Sequence, residues 1–491
     1  MKKWIKTAAL VLALTMLVSS FAACATTETP ANSNVPETQV PDTQTPETQQ
    51  PADEGLKGTL KLGIWPEDTK TDEIAMHEGY VKIFNELHPG VEVVPSYYKY
   101  ATDTFVALAE SGNLPTVFES WYTEPQKLID QGLIADITDQ VDAKGWTQWM
   151  NSDIYNLLSR DGRLYGIPRD AYTLGIMLNV ELFEEAGLVD ANGLPIYPKT
   201  WAELAETAKK IKDATGAAGL CLLAKDGAGG WHFSNIAWCF GATLESEVDG
   251  KWICNLNSPE VVAAMQYVYD LKWKYDVLTA DPQAEDWGTG FQQLGTGGAA
   301  MYIAANDAVN MPTYVNGLAV DKLALIPIPA GPNGDQHSLM GGTPYFFSKD
   351  ATPDEIAAAL DYIEIMGKAP VTTDAGLAGI EADAKYRQEN GIPVIPRFPA
   401  WNNPEYTAAE NAANEKYLNV DMRLFSDYYA AVATEGNLMT EVPKNAQEMY
   451  AELTKVIQAV VTDKNADIQA LLDIAQTNFQ AILDEQVNKA S

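Results

Sequence analysis

Two short segments interleave aromatic rings with carboxylates: Trp65-Pro66-Glu67-Asp68 and Glu119-Ser120-Trp121-Tyr122-Thr123-Glu124. An indole face stacks on the apolar CH face of a pyranose, while Asp, Glu, Asn or Arg meet its hydroxyls. The same mixture recurs in Trp231-His232-Phe233 after a glycine-rich run, in Asn306-Asp307, in Arg169-Asp170-Ala171-Tyr172 and in Gly342-Thr343-Pro344-Tyr345. The candidate ligand contacts are therefore Trp65, Asp68, Trp121, Tyr122, Glu124, Arg169, Asp170, Tyr172, Trp231, His232, Asn306, Asp307, Thr343 and Tyr345, with Trp287 and Trp401 as rim residues. For each aromatic the competing reading is core packing, the ordinary fate of a Trp. Carboxylates such as Glu119 and Glu124 are also of the type that forms an acid/base pair at a glycosidic bond.

Metal and nucleotide chemistry lack support. His77, His88, His232 and His337 are scattered, and no HExxH, CxxC or P-loop pattern is present, so no metal and no cofactor is expected. Beyond Cys24 stand Cys221, Cys239 and Cys254, an odd count that is not a disulfide framework. Buried free thiols are the expectation, and a Cys239–Cys254 bridge is the alternative. With 33 basic and 67 acidic residues the chain is strongly acidic. That excludes a nucleic-acid binder, which needs clustered Lys and Arg, and leaves a cationic ligand open.

The elements that must position these residues alternate. Strands are predicted at 59–65, 91–94, 116–119, 174–178 and 298–303, and also at 219–224 around Cys221. Helices are predicted at 72–87, 103–110, 181–186, 260–273 and 353–366, with two or three more in 445–487. Thr200 and Glu203 read as a capping box opening another helix. Trp146, Trp149, Trp201, Trp252 and Trp273 fall inside such elements and are assigned to packing. The alternation predicts an α/β chain with largely parallel sheets, and the 437 residues from Gly55 onward suffice for two domains with real cores.

The first 54 residues read differently. Lys2, Lys3 and Lys6 precede an uncharged apolar run, 8–18, and Ala22-Ala23-Cys24 closes it. This is the layout of an export signal, and the run is too short to span a bilayer. Ala22-Ala23-Cys24 resembles the lipobox of bacterial lipoproteins, although Phe21 stands where that motif prefers Leu. Lipidation of Cys24 is the expectation, with an ordinary secretory peptide as the alternative. Residues 25–54 carry Pro36-Glu37-Thr38-Gln39 and two close repeats of it, no Lys, Arg or aromatic residue, and read as an unfolded tether.

Five segments in order carry a wider resemblance. They are Ser111-Gly112-Asn113-Leu114-Pro115-Thr116-Val117-Phe118 with Gln131-Gly132-Leu133-Ile134-Ala135-Asp136-Ile137; Asp161-Gly162-Arg163-Leu164-Tyr165-Gly166-Ile167-Pro168; Pro198-Lys199-Thr200-Trp201; Ala299-Ala300-Met301-Tyr302-Ile303; and Pro327-Ile328-Pro329-Ala330-Gly331-Pro332 leading to Phe347-Ser348-Lys349-Asp350. In these the chain resembles extracellular solute-binding proteins of the maltose-binding type, which serve ABC importers. The resemblance implies a periplasmic-binding-protein-like fold of two α/β lobes, with hinge crossings at 167–173 and 341–347 and a last crossing near 370–385. The implied organisation is a signal peptide 1–23, a lipidated tether 24–54, a first lobe from 55–170 plus 342–380, and a second from 171–341 plus 381–491. Trp65, Trp121 and Tyr122 match sugar-stacking positions of that family. Ala305-Asn306-Asp307 lacks the stacking Trp those proteins carry there, which argues against transferring maltodextrin specificity. Arg169 either binds a carboxylate or bridges the lobes.

The function these readings imply is a non-enzymatic, monomeric lipoprotein on the outer face of the cell membrane, in a cell without an outer membrane. It captures a carbohydrate, an oligosaccharide, by lobe closure and delivers it to the permease subunits of an ABC importer. The alternatives are a binder of a cationic solute such as a polyamine, a surface glycan-active enzyme, and a sensor partner for a receptor kinase.

Overall fold

A computed structural model describes residues 55–489, and the expected signal, Cys24 and tether lie outside them. Gly58–Leu62, Val91–Pro95 and Val117–Glu119 form strands in which the first pairs in parallel with the other two. The helices Thr71–Leu87 and Thr102–Glu110 connect them. The 14-residue strand Gly166–Asn179 then runs antiparallel to Ser338–Phe347, and Ser338–Phe347 in turn pairs with Val117–Glu119. The far half of Gly166–Asn179 pairs with Met301–Ala305 and Leu323–Ile326. One mixed sheet therefore runs through the molecule.

Two large apolar cores flank this strand pair. Leu60, Phe84, Phe118, Trp146, Ile167, Phe346 and Tyr362 belong to one; Leu174, Trp201, Phe233, Tyr302, Leu325, Tyr450 and Phe479 belong to the other. Each fully buried ring or aliphatic chain contributes ~1.5–3 kcal/mol, so the cores and not the ladder supply most of the stability. Helices Asp374–Glu389 and Pro404–Tyr417 share a small cluster of Ala384, Val394 and Ala413, and the chain rejoins the second core at Val420, Leu424 and Phe425.

Local chemistry accounts for departures from the expected elements. Residues 219–224 form only isolated bridges, Leu220 to Leu278 and Cys221 to Tyr302, not a strand. Gly219 approaches Ala208 so closely that a Cβ would stand 2.3 Å from its methyl, which pins this run to a helix rather than to a ladder. Thr200 caps helix Trp201–Thr215 by accepting from the Glu203 N–H, but Glu203 reaches Lys199 N at 2.7 Å, one residue short of a capping box. The glycine run before Trp231 is the start of helix Ala228–Cys239, not a loop: a Cβ on Gly230 would stand 2.3 Å from the Tyr450 carbonyl, so only Gly lets the two helices touch backbone to backbone. Cys221, Cys239 and Cys254 are free and buried.

The crossing strands need similar closeness. A Cβ at Gly342 would lie 2.5 Å from the Asp170 carbonyl and 2.6 Å from the Tyr122 ring. Gly342→Ala is expected to cost about 1–3 kcal/mol, as overpacking against unyielding backbone does. An unchanged urea midpoint would contradict this. His232 is fully buried with neither ring nitrogen bonded, and burial pulls its pKa down to about 3. Between pH 6.5 and 3 the unfolded chain takes up a proton that the folded chain refuses, so stability falls as pH falls, by up to ~1.4 kcal/mol per pH unit from this group. His232→Phe should flatten that slope, read as unfolding free energies at pH 7 and pH 5; an identical slope would refute it.

Candidate ligand-binding cleft

Pro168 and Pro344 face each other in the crossing pair, where neither can donate to the ladder. The register slips there: Thr343 pairs with Asp170 and Pro344 with Pro168, leaving Arg169 as the extra residue of a bulge. The bulge turns Arg169 toward three partners. Its Nη1 donates to Glu119 at 2.7 Å, its Nε to Asp170 at 2.8 Å, and its Nη2 to the Thr343 hydroxyl at 3.3 Å. Thr343 N also donates to Asp170 Oδ1 at 3.0 Å. The guanidinium charge is thus matched by two carboxylates, both within the crossing or the first core's edge.

Three cavities meet around this bulge. One, of about 520 Å³, is lined by Trp121, Tyr172, Trp231, Trp287 and Asp307, together with Thr123, Gly342, Glu441, Gln447 and Tyr450. A second, of about 620 Å³, is lined by Trp65, Glu119, Arg169, Asp170, Tyr345 and Lys368. A third, of about 350 Å³, shares Arg169, Asp170 and Lys368 with the second and Asp307 with the first, and adds Arg387, Arg397 and Trp401. The expected aromatics are therefore divided between chambers, of which the first and second share no lining residue and the third borders both. Tyr172, Trp231 and Trp287 make one edge-to-face wall, with centroids 6.4 and 5.3 Å apart. Trp121 stands in the same chamber, 39% exposed and edge-on to Tyr100 at 5.2 Å. Helix Ala228–Cys239 presents Trp231, and the first turn of helix Trp287–Gly295, capped by Asp286, presents Trp287.

Other expected contacts are spent inside the protein. Tyr122 is buried and donates to the Asp170 carbonyl at 3.0 Å. Glu124 is 1% exposed and accepts from the Tyr100 and Thr123 hydroxyls, and burial raises its carboxyl. Asn306 is buried, with Oδ1 accepting from Thr173 N at 3.1 Å. His232 lies beneath the wall, against Trp231, Trp287 and Tyr302. Tyr345 is buried, with its hydroxyl unpaired at the second chamber. Trp401 packs on Trp146 at 6.3 Å and borders the third chamber. Asp68 is exposed and lines none of the three.

Glu441, Gln447 and Tyr450 escaped the sequence reading. They lie on and before helix Ala446–Thr462, about 100 residues beyond the second crossing strand, and no aromatic–acid cluster marks them. Glu441 is 7% exposed and accepts from the Tyr450 hydroxyl at 3.2 Å. Burial pushes its pKa up to about 8; the Tyr450 hydroxyl pulls the other way, the Glu124 charge adds to the rise, and the Trp231 indole opposes it. Asp307 is exposed at the cleft, yet the surrounding walls and then Asp170 push it up to about 6. Burial, then the Arg169 charge, lowers Lys368. Beside the first chamber, Gln447 donates to the Thr123 hydroxyl at 3.2 Å, Lys127 pairs with Glu448 at 2.9 Å, and Lys444 pairs with Asp130. Among the described residues no group of three His, Cys, Asp or Glu could hold a metal ion, and no helix is long and apolar enough to cross a membrane.

Comparisons with known proteins agree with this architecture. The arabinooligosaccharide-binding protein of Halalkalibacterium halodurans is 25% identical over 265 residues, 51% of this chain and 52% of that protein. The diacetylchitobiose binding protein DasA of Streptomyces coelicolor is 28% identical over 183 residues, 37% of this chain and 39% of that protein. The chain thus spans about half, or less, of the curated relatives it matches. The structure of maltose-bound T. maritima MalE3 superposes with a TM-score of 0.62 at 19% identity, covering 87% of this chain and 99% of that one, and carries the same two-lobed binding-protein fold. The family model for bacterial extracellular solute-binding proteins matches residues 65–371. The chain belongs to the bacterial extracellular solute-binding protein family.

Proposed function

We propose that the chain captures an oligosaccharide between its lobes and hands it to the permease subunits of an ABC importer, as a monomer held by a lipid on Cys24. The observation that carries the ligand class is the wall of Tyr172, Trp231 and Trp287, which shares a chamber with the partly exposed Trp121 and carboxyls Asp307 and Glu441. Three chambers with shared walls favour a ligand of several units over a single sugar. The arabinooligosaccharide- and diacetylchitobiose-binding relatives support the same class. Lobe closure would exclude water and present the liganded form, and it requires that the ligand favour the closed state. Turnover finds no support in the carboxylates first considered: Glu119 is paired with Arg169 and Glu124 with Tyr100 and Thr123, so neither faces a glycosidic oxygen freely.

Titration calorimetry against a panel of neutral and amine-bearing oligosaccharides, with spermidine as the cationic control, tests the ligand class. At least one glycan should bind and change Trp fluorescence. Trp231→Ala should weaken it at least tenfold, ~1.4 kcal/mol or more, as truncating a central aromatic anchor does. Silence toward every glycan would overturn the reading, as would product released from any of them. For the anchor, Cys24→Ser should move the protein from the membrane fraction of its producing cell to the medium; unchanged membrane association would refute lipidation.

A further inference from the structure

The chamber walled by Tyr172, Trp231 and Trp287 is electrostatically one-sided. No Lys, Arg or His lines it, whereas Arg169, Lys368, Arg387 and Arg397 all stand in the other two chambers. Its ionisable side chains besides tyrosine are the carboxyls of Asp307 and Glu441. Three of its polar hydrogens are committed within the protein: the Tyr450 hydroxyl to Glu441, the Thr123 hydroxyl to Glu124 at 3.0 Å, and a Gln447 amide hydrogen to Thr123. A sugar hydroxyl gives one hydrogen bond and takes others, so a neutral sugar needs donors as well as acceptors. This chamber offers acids and aromatic faces and no cation. An ammonium donates three hydrogen bonds and accepts none, and an indole face attracts it. Glu441 and Asp307 line the chamber together with Tyr172.

Resting on the carbohydrate reading above, we propose that the unit seated in this chamber is an amino sugar of the 2-amino-2-deoxyhexose class, its ammonium held between Asp307 and Glu441 beside the Tyr172 hydroxyl. The remaining units of the oligosaccharide run into the chambers around Arg169. Titration supports this placement. Glu441 is faced by Glu124, which raises it, and by Tyr450 and Trp231, which lower it; Asp307 is faced by Asp170, which raises it, and by Arg169 and Arg387, which lower it. Both carboxyls sit above the usual range in the empty cleft, so an arriving ammonium ionises them and protons leave. Affinity for the amine should therefore rise from pH 6 as Asp307 ionises and level off near neutrality, where the 2-amino group begins to lose its own proton and Glu441 can supply one.

The test is calorimetry on the mature protein with a glucosamine tetramer, its fully N-acetylated counterpart, cellotetraose and spermidine, at pH 6.0 and 7.5 in two buffers of different ionisation heat. The expected result is that the free-amine tetramer binds at least tenfold more tightly than the N-acetylated one at pH 7.5, with net proton release at pH 6.0 that shrinks at pH 7.5, where the amine takes up the proton the carboxyl gives. Glu441→Gln and, separately, Asp307→Asn should bring that ratio toward one. Glu441→Gln replaces a carboxyl already largely neutral, and Asp307 is exposed, so both variants should fold, as checked by thermal unfolding. Equal or tighter binding of the N-acetylated or neutral tetramer overturns the amine assignment and leaves the carbohydrate reading standing. Binding of spermidine with no glycan bound, or no binding at all, overturns both.

Discussion

Everything in this molecule hangs on the antiparallel pairing of Gly166–Asn179 with Ser338–Phe347. These two strands begin in one core and end in the other, so they are at once structural spine and cleft floor. A floor made of continuous ladder would offer only a flat backbone. Facing prolines interrupt the ladder within the first core's stretch of the pair, and the resulting bulge sends Arg169 out as a fixed post. Because Glu119 and Asp170 neutralise it in place, the post organises its surroundings without imposing a net positive field on the chambers beside it.

The acidity of the chain has two unlike components. Most carboxylates are exposed and solvated, where they act on solubility and on which surfaces the protein avoids. A few are buried: Glu124, Glu245 and Glu441 sit near or behind the cleft and are pushed toward the neutral form. Burying a neutral acid with a hydrogen-bond partner costs far less than burying a charge. Lys127 and Lys444 cross to Glu448 and Asp130, so the contact between segments 123–130 and 444–448 is ionic where the cores themselves are apolar.

Much of this was legible in residue order. Periodicity placed the early strands and helices to within a few residues, because propensity and burial agree there, as in Thr71–Leu87 and Val91–Pro95. It failed where tertiary contact decides. The apolar 219–224 run has strand composition, yet Gly219 is pressed against a helix; the Gly227–Gly230 run has loop composition, yet helix-on-helix contact makes it the opening of Ala228–Cys239. In the cleft, aromatic and acidic residue types pointed to Trp121, Tyr172, Trp231, Trp287 and Asp307, which the fold gathers in one chamber. Residue type also proposed Tyr122, Glu124 and Asn306, whose polar atoms turn out to satisfy neighbours in the interior. Glu441 and Tyr450 were invisible, because a carboxyl and a phenol that meet through folding leave no trace in spacing.

The glycines at the crossing carry a consequence for descent. A methyl at Gly341 would meet the Tyr172 ring at 2.5 Å, and one at Gly342 would meet the Asp170 carbonyl at the same distance. Substitution at these two positions is therefore limited by sterics before any ligand is considered. Room to refit this scaffold to another solute lies on the walls, at positions such as 121, 231, 287, 307 and 441, where a change of side chain meets no such backbone.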